Sequence, residues 1–538
     1  MKILGISCGF HDAAASVIED GEILFAGHAE RYSKKKHDNR LNQELLVDAL
    51  SQSGDLPEVV SYYENPWLKK TRQLYSGQYK DFFNVEDLNI KRLLKKQTGL
   101  KYDFVKRWNY HSHHLSHAAA GFQTCPYNDA TVVVIDAIGE WDCITLWNAS
   151  YDNNGTARYE KVWGAKYPNS IGLYYSAMTK RVGLRPLDEE YILMGMAAYG
   201  KPLYNRELLD KFWRTGGPEV LRAKENLHLG TDWKENELLE EQDLYDVAAS
   251  AQVTLEQIVK YIMNYAKKYC KSTNLVYMGG VALNCVANSE ICRIWENVWI
   301  MPNPGDAGSS LGAAALTYGK KLNWQGPFLG YNIQGEYPDG EIIKELTTTR
   351  IVGIANGRAE FGPRALGNRT LFADPRGEDI KDKVNEIKRR QMFRPFAPMI
   401  LEEHAEEYFD MPLTCEIIPD DPSQPGGYPG SQVVSVNPQG QNINFNMNTI
   451  SSPFMQFVAR CKKPSEFPAI VHADGTSRVQ TVGPNDNPNV RKLLNMWHYY
   501  TGCPMLLNTS LNIRGEPMVN DLADAKRFTK LYGVQVYS

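Results

Sequence analysis

Within its first 29 residues the chain places three short apolar runs, residues 2–7, 13–19 and 22–29, and only Asp20-Gly21 separates the last two. Asp-Gly between β-rich runs favours a hairpin, because glycine accepts the positive φ that such turns need. The chain is therefore expected to open on a sheet. The turn joining its first two strands, Cys8-Gly9-Phe10-His11-Asp12, lies where a side chain can reach a site without being buried. His11 there fits two roles, a general base or a residue that caps local backbone groups.

A second constraint is His113-His114-Leu115-Ser116-His117, which runs into Ala118-Ala119-Ala120. The alanines predict a helix with the histidines in its opening turns. Their spacing puts His113 and His117 on one face, close enough to share an ion. Two neutral imidazoles suit a divalent transition metal but need further ligands. Asp136 closes the strand-like run Thr131-Val132-Val133-Val134-Ile135, and Asp306 sits in a turn before a second Ala-rich stretch. The same four residues are compatible with a satisfied buried cluster that holds no metal. The zinc-protease pattern does not apply, since His114 stands where it needs a glutamate.

Gly139, just after Asp136, could let backbone amides approach a phosphate. Residues 274–278 read as a strand entering Gly279-Gly280 and then a helix, another place where backbone can lie against a nucleotide. A Gly/Pro-rich connector at 325–330 divides the chain into 1–330 and 331–538. In the second segment Arg364, Arg369, Arg390, Arg394, Arg478 and Arg514 recur among glycine, proline and small hydroxyl residues. Guanidinium forks with Ser, Thr and Asn donors are what a compact phosphate requires; ion pairing between segments is the alternative use.

At 538 residues the chain exceeds one ordinary core. Its 59 Lys and Arg against 63 Asp and Glu leave a net charge of −4, without the basic excess expected of a nucleic-acid binder. The nine cysteines include no Cys-x-x-Cys pair, so neither a disulfide framework nor a thiolate zinc site is indicated. No signal-like apolar region opens the chain and no run approaches a membrane span. The expectation is a reduced, cytoplasmic protein with no membrane partner.

Together, Gly9-Phe10-His11-Asp12-Ala13, the His113–His117 stretch, Asp136-x-x-Gly139-Glu140, Gly279-Gly280-Val281-Ala282-Leu283-Asn284, residues 360–369, and Asn508-Thr509-Ser510 with Gly515-Glu516-Pro517 resemble the O-carbamoyltransferase family of nodulation-factor and antibiotic biosynthesis. The match runs in order along nearly the whole chain. It implies an α/β fold, with an actin-like domain (ASKHA, similar to the tRNA threonylcarbamoyl transferases) over 1–330 and an α+β YrdC-like domain over 331–538. It further implies that carbamoyl phosphate and ATP, with Mg2+, form carbamoyladenylate in the second domain. A hydroxyl of a small-molecule acceptor would then take the carbamoyl group in the first.

On that resemblance Arg364, Lys388, Arg390, Arg394 and Arg478, with Asn508 and Ser510, bind carbamoyl phosphate and ATP. His113, His117, Asp136 and Asp306 hold a divalent metal, Fe2+ by family and Zn2+ or Mn2+ by ligand type. Gly139, Gly279, Gly280, Asn284 and Asn288 hold the nucleotide, and Lys36 touches its phosphates or the acceptor. His11 and Asp12 are the catalytic pair, His11 deprotonating the acceptor hydroxyl. A homodimer is compatible with the family. Two departures stand out: Ala137 replaces the usual glycine after the strand aspartate, and Glu190-Tyr191-Ile192 replaces Glu-Gly-Lys. The competing outcomes are N-carbamoylation of a nucleoside or RNA, and a catalytically silent nucleotide-binding scaffold.

Overall fold

The computed structural model describes residues 1–54, 56–214, 221–418, 432–436 and 442–538. Its opening strands Lys2–Ser7, Ala14–Glu19 and Glu22–His28 pair antiparallel, as the hairpin signal requires. Val59–Tyr62 and Arg107–Tyr110 then add in parallel on the other side of the first strand. The strand order is thus third, second, first, fourth, fifth. A second sheet repeats this plan. Asp129–Ile135, Asp142–Tyr151 and Ala157–Lys166 pair antiparallel, and Asn274–Met278 and Asn297–Trp299 follow in parallel beside the first of them.

In both units a helix of small residues follows the fifth strand, His113–Phe122 in one and Ser309–Tyr318 in the other. The two pack on each other, Ser309–Tyr318 lying on the first sheet and His113–Phe122 on the second. Small side chains make that approach possible. A Cβ on Gly312 would lie 1.8 Å from the Ser116 carbonyl oxygen, and one on Gly5 would lie 2.0 Å from that of Ser310. Ala118, Ala119, Ala120, Ala313, Ala314 and Ala315 are fully buried at this seam. The helices therefore begin close to where the first strand of the second sheet ends. This is why three distant stretches, 113–117, 136 and 306, meet.

The helix Glu190–Met196 includes Gly195, and the helices Asn205–Phe212 and Glu241–Tyr269 follow it. The strand Phe328–Ile333 runs through residue 330 and pairs with Gly357–Glu360 of the second half.

The second half is built on an eight-stranded mixed sheet. Its order is Phe409–Asp410, Phe457–Cys461, Thr476–Val482, Ala397–Leu401, Met505–Ser510, Arg369–Ala373, Ile351–Ala355, Val536–Tyr537. Ala397–Leu401 runs parallel to Thr476–Val482 and antiparallel to Met505–Ser510, which sets Arg478 on one side of it and Asn508 and Ser510 on the other. The whole is a mixed α/β fold. Among the described residues no helix is long and apolar enough to cross a membrane.

Gly279 gives a direct test of the second sheet. Its φ is 92°, and a Cβ there would lie 2.2 Å from the Ile135 carbonyl oxygen. Strain and clash act together, so Gly279→Ala is expected to cost about 2–4 kcal/mol. Urea melts read this as a lower midpoint at unchanged slope.

Candidate functional site

A cavity of about 690 Å3 lies between the halves and gathers most of the predicted residues. His11, Asp12, Lys36, Asp136, Gly280, Asn284 and Asp306 come from the first half, and Arg364, Lys388, Arg390, Arg394, Arg478, Asn508 and Ser510 from the second. His113 and His117 are buried and touch the wall residues Asp136 and Asp306. Gly139, Gly279 and Asn288 do not line it.

The four candidate metal ligands converge. His113 Nε2 lies 3.1 Å from His117 Nε2, 3.2 Å from Asp306 Oδ1 and 3.3 Å from Asp136 Oδ2. His117 Nε2 lies 3.2 Å from Asp306 Oδ1 and 3.9 Å from Asp136 Oδ2. The other nitrogen of His117, Nδ1, donates to the Pro304 carbonyl at 3.0 Å, which leaves Nε2 bare for a metal. An ion bonded at about 2.0–2.2 Å to each ligand would set them at about this spacing. Asp306 Oδ2 is buried without a hydrogen-bond partner.

Electrostatics point the same way. Burial opposes charge on His113, but Asp306 and Asp136 outweigh it and push its pKa well up. Burial likewise opposes charge on the two carboxylates, yet the histidines hold Asp136 down at about 2 and Asp306 well below its usual range. The set calls for positive charge at its centre, and its residues fit a divalent transition metal.

At the far end of the cavity the charge inverts. Among the described residues Arg364, Lys388, Arg390, Arg394 and Arg478 form no ion pair with any carboxylate. Arg364 makes one long contact, 3.5 Å to the Leu283 carbonyl across the seam, and Arg478 Nε has no partner. Burial, then the charges of Arg478 and Arg394, lower Arg364 to about 9. Burial with Arg390 and Arg394 pushes Lys388 well down. Crowded cations without counterions are a site for an anion with several charges. Lys388 is also a strut: its Nζ donates to the Ser510 and Asn512 carbonyls and to Asn512 Oδ1. Arg390 stacks on Phe396 at 4.2 Å and donates to Asn385 Oδ1.

Several predicted residues have other duties. Gly139 packs under the imidazoles, where a Cβ would lie 2.9 Å from His114 and 3.1 Å from His113, so closeness to a ring rather than to a phosphate explains the glycine. Gly279 is explained by the Ile135 carbonyl, and Gly280 N–H donates to Asp136 Oδ1 at 3.0 Å. Asn288 Nδ2 donates to Ala282 O and, across the halves, to Gln456 O, which makes it a clamp. Asn284 caps the helix Cys285–Ile291 and exchanges hydrogen bonds with Gln252. Both Asn508 amide hydrogens are committed, to Ala365 O and Gln480 Oε1; only its Oδ1 remains, which accepts and so suits an N–H rather than a phosphate oxygen. The Ser510 hydroxyl donates to Asn512 Oδ1.

Lys36, expected near nucleotide phosphates or the acceptor, sits in a charge run at residues 30–38. In the structure the run is a seam: Arg31 is buried and donates to Gly362 O at 2.8 Å, Lys34 pairs with Asp524, and Lys36 pairs with Asp188 at 3.1 Å. Tyr191, one of the departures, lies under Lys36 at 5.0 Å and Arg394 at 4.9 Å, joining the two ends of the cavity. Sequence reasoning missed it, although an aromatic residue where the family usually has glycine was the available signal. His11 Nδ1 meets Asp12 Oδ2 at 2.9 Å. Burial works against its charge, but Asp12, and behind it Asp306 and Asp136, raise it to about 9.

Known proteins resemble the chain over nearly its whole length. An uncharacterized protein of Synechocystis sp. is 32% identical over 98% of this chain and 93% of its own length. Nodulation protein NolNO of Sinorhizobium fredii is 31% identical over 96% of this chain and 76% of its own. The 3'-hydroxymethylcephem-O-carbamoyltransferase of Amycolatopsis lactamdurans is 24% identical over 97% and 95%. Among solved structures, ROK hexokinase from Thermus thermophilus overlaps 58% of this chain and 97% of its own at 14% identity and a TM-score of 0.28. Residues 2–315 match the carbamoyltransferase N-terminus family, and residues 343–419 and 432–537 match the carbamoyltransferase C-terminus family. With both halves matched in order, the chain belongs to the carbamoyltransferase family.

Proposed function

We propose that the protein is an ATP-dependent O-carbamoyltransferase, with an actin-like first domain and a YrdC-like second domain. The observation that carries this reading is one cavity with, at one end, five basic side chains that form no carboxylate ion pair among the described residues and, at the other, His11 beside a metal-type ligand set. The relative from Amycolatopsis lactamdurans bears an O-carbamoyltransferase name, which supports a hydroxyl acceptor.

In this reading the arginines bind carbamoyl phosphate and the ATP phosphates and offset charge as the mixed anhydride forms. Carbamoyl phosphate, ATP and water give carbamoyladenylate, pyrophosphate and phosphate: water releases carbamate and phosphate, and a carbamate oxygen displaces pyrophosphate from the α-phosphorus. The acceptor O–H then gives its proton to His11, its oxygen forms the new bond to the carbamoyl carbon, and AMP leaves. Asn508 Oδ1 is free to accept from the carbamoyl amide. A divalent metal, Fe2+ by family, at His113, His117, Asp136 and Asp306 would supply Lewis acidity toward a phosphate or carbonyl oxygen. A shared cavity supports passage of the reactive anhydride without release to water.

The test is pyrophosphate and AMP release from ATP by metal-loaded protein, with and without carbamoyl phosphate. Release that requires carbamoyl phosphate is the expected result. Release independent of it, or none from folded protein, sinks the reading.

A further inference from the structure

The first turn holds more than a catalytic pair. Asp12 uses both carboxylate oxygens on imidazoles, Oδ2 on His11 Nδ1 at 2.9 Å and Oδ1 on His37 Nδ1 at 2.8 Å. The second nitrogen of His37, Nε2, lies 2.9 Å from Asp188 Oδ1, and Asp188 also takes Lys36 at 3.1 Å and Arg185 at 2.9 Å. His37 N–H donates to Glu30 Oε2 at 3.0 Å, so the residue is hydrogen-bonded at its backbone and at Nδ1, with Nε2 in ion-pair range of Asp188. Asp12 and His37 both lie in the left-handed region, at φ 52° and 54°. Non-glycine residues stay there when their surroundings over-determine them, and such strain gathers at functional sites. Two carboxylates around one imidazole favour its doubly protonated form: despite burial, Asp12 and Asp188 raise His37 to about 10.

We propose that His37 is a positioning residue for His11, fixing Asp12 so that one oxygen receives the His11 Nδ1–H and His11 Nε2 is left as the base. The proposal rests on the reading of His11 given above. A cation on the far side of Asp12 has a second effect. It shares that carboxylate's charge, which limits how strongly Asp12 stabilises a proton on His11. Asp188 extends the chain to residues 185–191, and Glu189 in that stretch meets Arg514 of the second half at 3.3 Å. The base is thereby linked to the anion end of the cavity.

The experiment compares His37→Gly and His37→Asn with wild type as metal-loaded, full-length protein. Both residues tolerate the left-handed backbone, so each variant should fold. Asn keeps a donor toward Asp12, and Gly removes it. Three readouts are taken: the first-turnover burst of pyrophosphate, AMP release with water standing in for the acceptor, and the far-downfield proton signal of His11 Nδ1–H, identified by its loss in His11→Gln. His37→Gly is expected to keep the burst, to lower AMP release at least about tenfold, and to lose the His11 signal. His37→Asn is expected to retain the signal and AMP release within about threefold of wild type. A His11 signal that survives in His37→Gly overturns the proposal, as does a burst that falls in step with AMP release. Should wild type release neither product, the functional reading fails instead, and the proton signal alone decides the positioning role.

Discussion

Arg478→Ala is expected to lower carbamoyl-phosphate-dependent pyrophosphate release by about 100-fold or more, the size seen when a donor to a developing oxyanion is removed. The side chain is well chosen for such a test because the fold asks little of it. Its Nε has no partner, and among the described residues it forms no ion pair with a carboxylate. It does repel its neighbours: its charge helps to lower Arg364 and Arg390. Without an anion bound, its removal relieves that repulsion, so the melting temperature of Arg478→Ala should equal or exceed that of wild type. Added pyrophosphate should stabilise wild type and leave the variant nearly unmoved. Arg478→Lys, which keeps charge but loses the fork, should recover only a small part of the rate. Lys388→Ala would be a poorer probe, since it also removes a donor from the Ser510 and Asn512 carbonyls.

His117→Ala should separate the two chemical stages. Pyrophosphate release is expected to persist, because the cations at the other end of the cavity are untouched. AMP release should fall by about 100-fold or more as Lewis acidity is lost. The variant also removes one of the two donors to the Pro304 carbonyl, which keeps the Gly279 N–H, and leaves Asp306 with one imidazole fewer. A loss of about 3–5 kcal/mol of stability follows from breaking one partner out of a buried charged set. Chelation of wild type leaves all four ligands in place, so it should cost less, about 3 kcal/mol if metal had been present at a hundred times its dissociation constant. Calorimetry of holo, chelated and His117→Ala protein in one series checks the order, and added metal should rescue only the chelated sample.

Much of the site was legible because local rules place it. Asp20-Gly21 marks the hairpin, the alanine runs mark the two seam helices, and Asp136 and Asp306 each stand at a strand end or helix entry. The duplicated sheet was not legible. The segments between third and fourth strands, residues 29–58 and 167–273, differ in length and content, so no repeat period survives in the sequence. Individual duties were also hidden, since they depend on distant partners. Asn288 looks like a nucleotide ligand until Gln456, 168 residues away, takes its amide, and Asn508 until Ala365, 143 residues away, does the same. Lys36 and Asp188 are 152 residues apart, and nothing near either one announces the other.

The seam between the two alanine helices also sets an order of events during synthesis. His117 and Asp306 are 189 residues apart, and Ser309–Tyr318 is the last element the first half needs. A nascent chain that has produced only the first of these helices presents a face of alanines with nothing to cover it. It also carries two histidines and one aspartate without the fourth ligand. Long-range closure of this kind is slow and exposes apolar surface meanwhile. Metal capture should therefore come late, after the ribosome has passed the second helix, and fragments ending before it should be retained by chaperones rather than rescued by added ion.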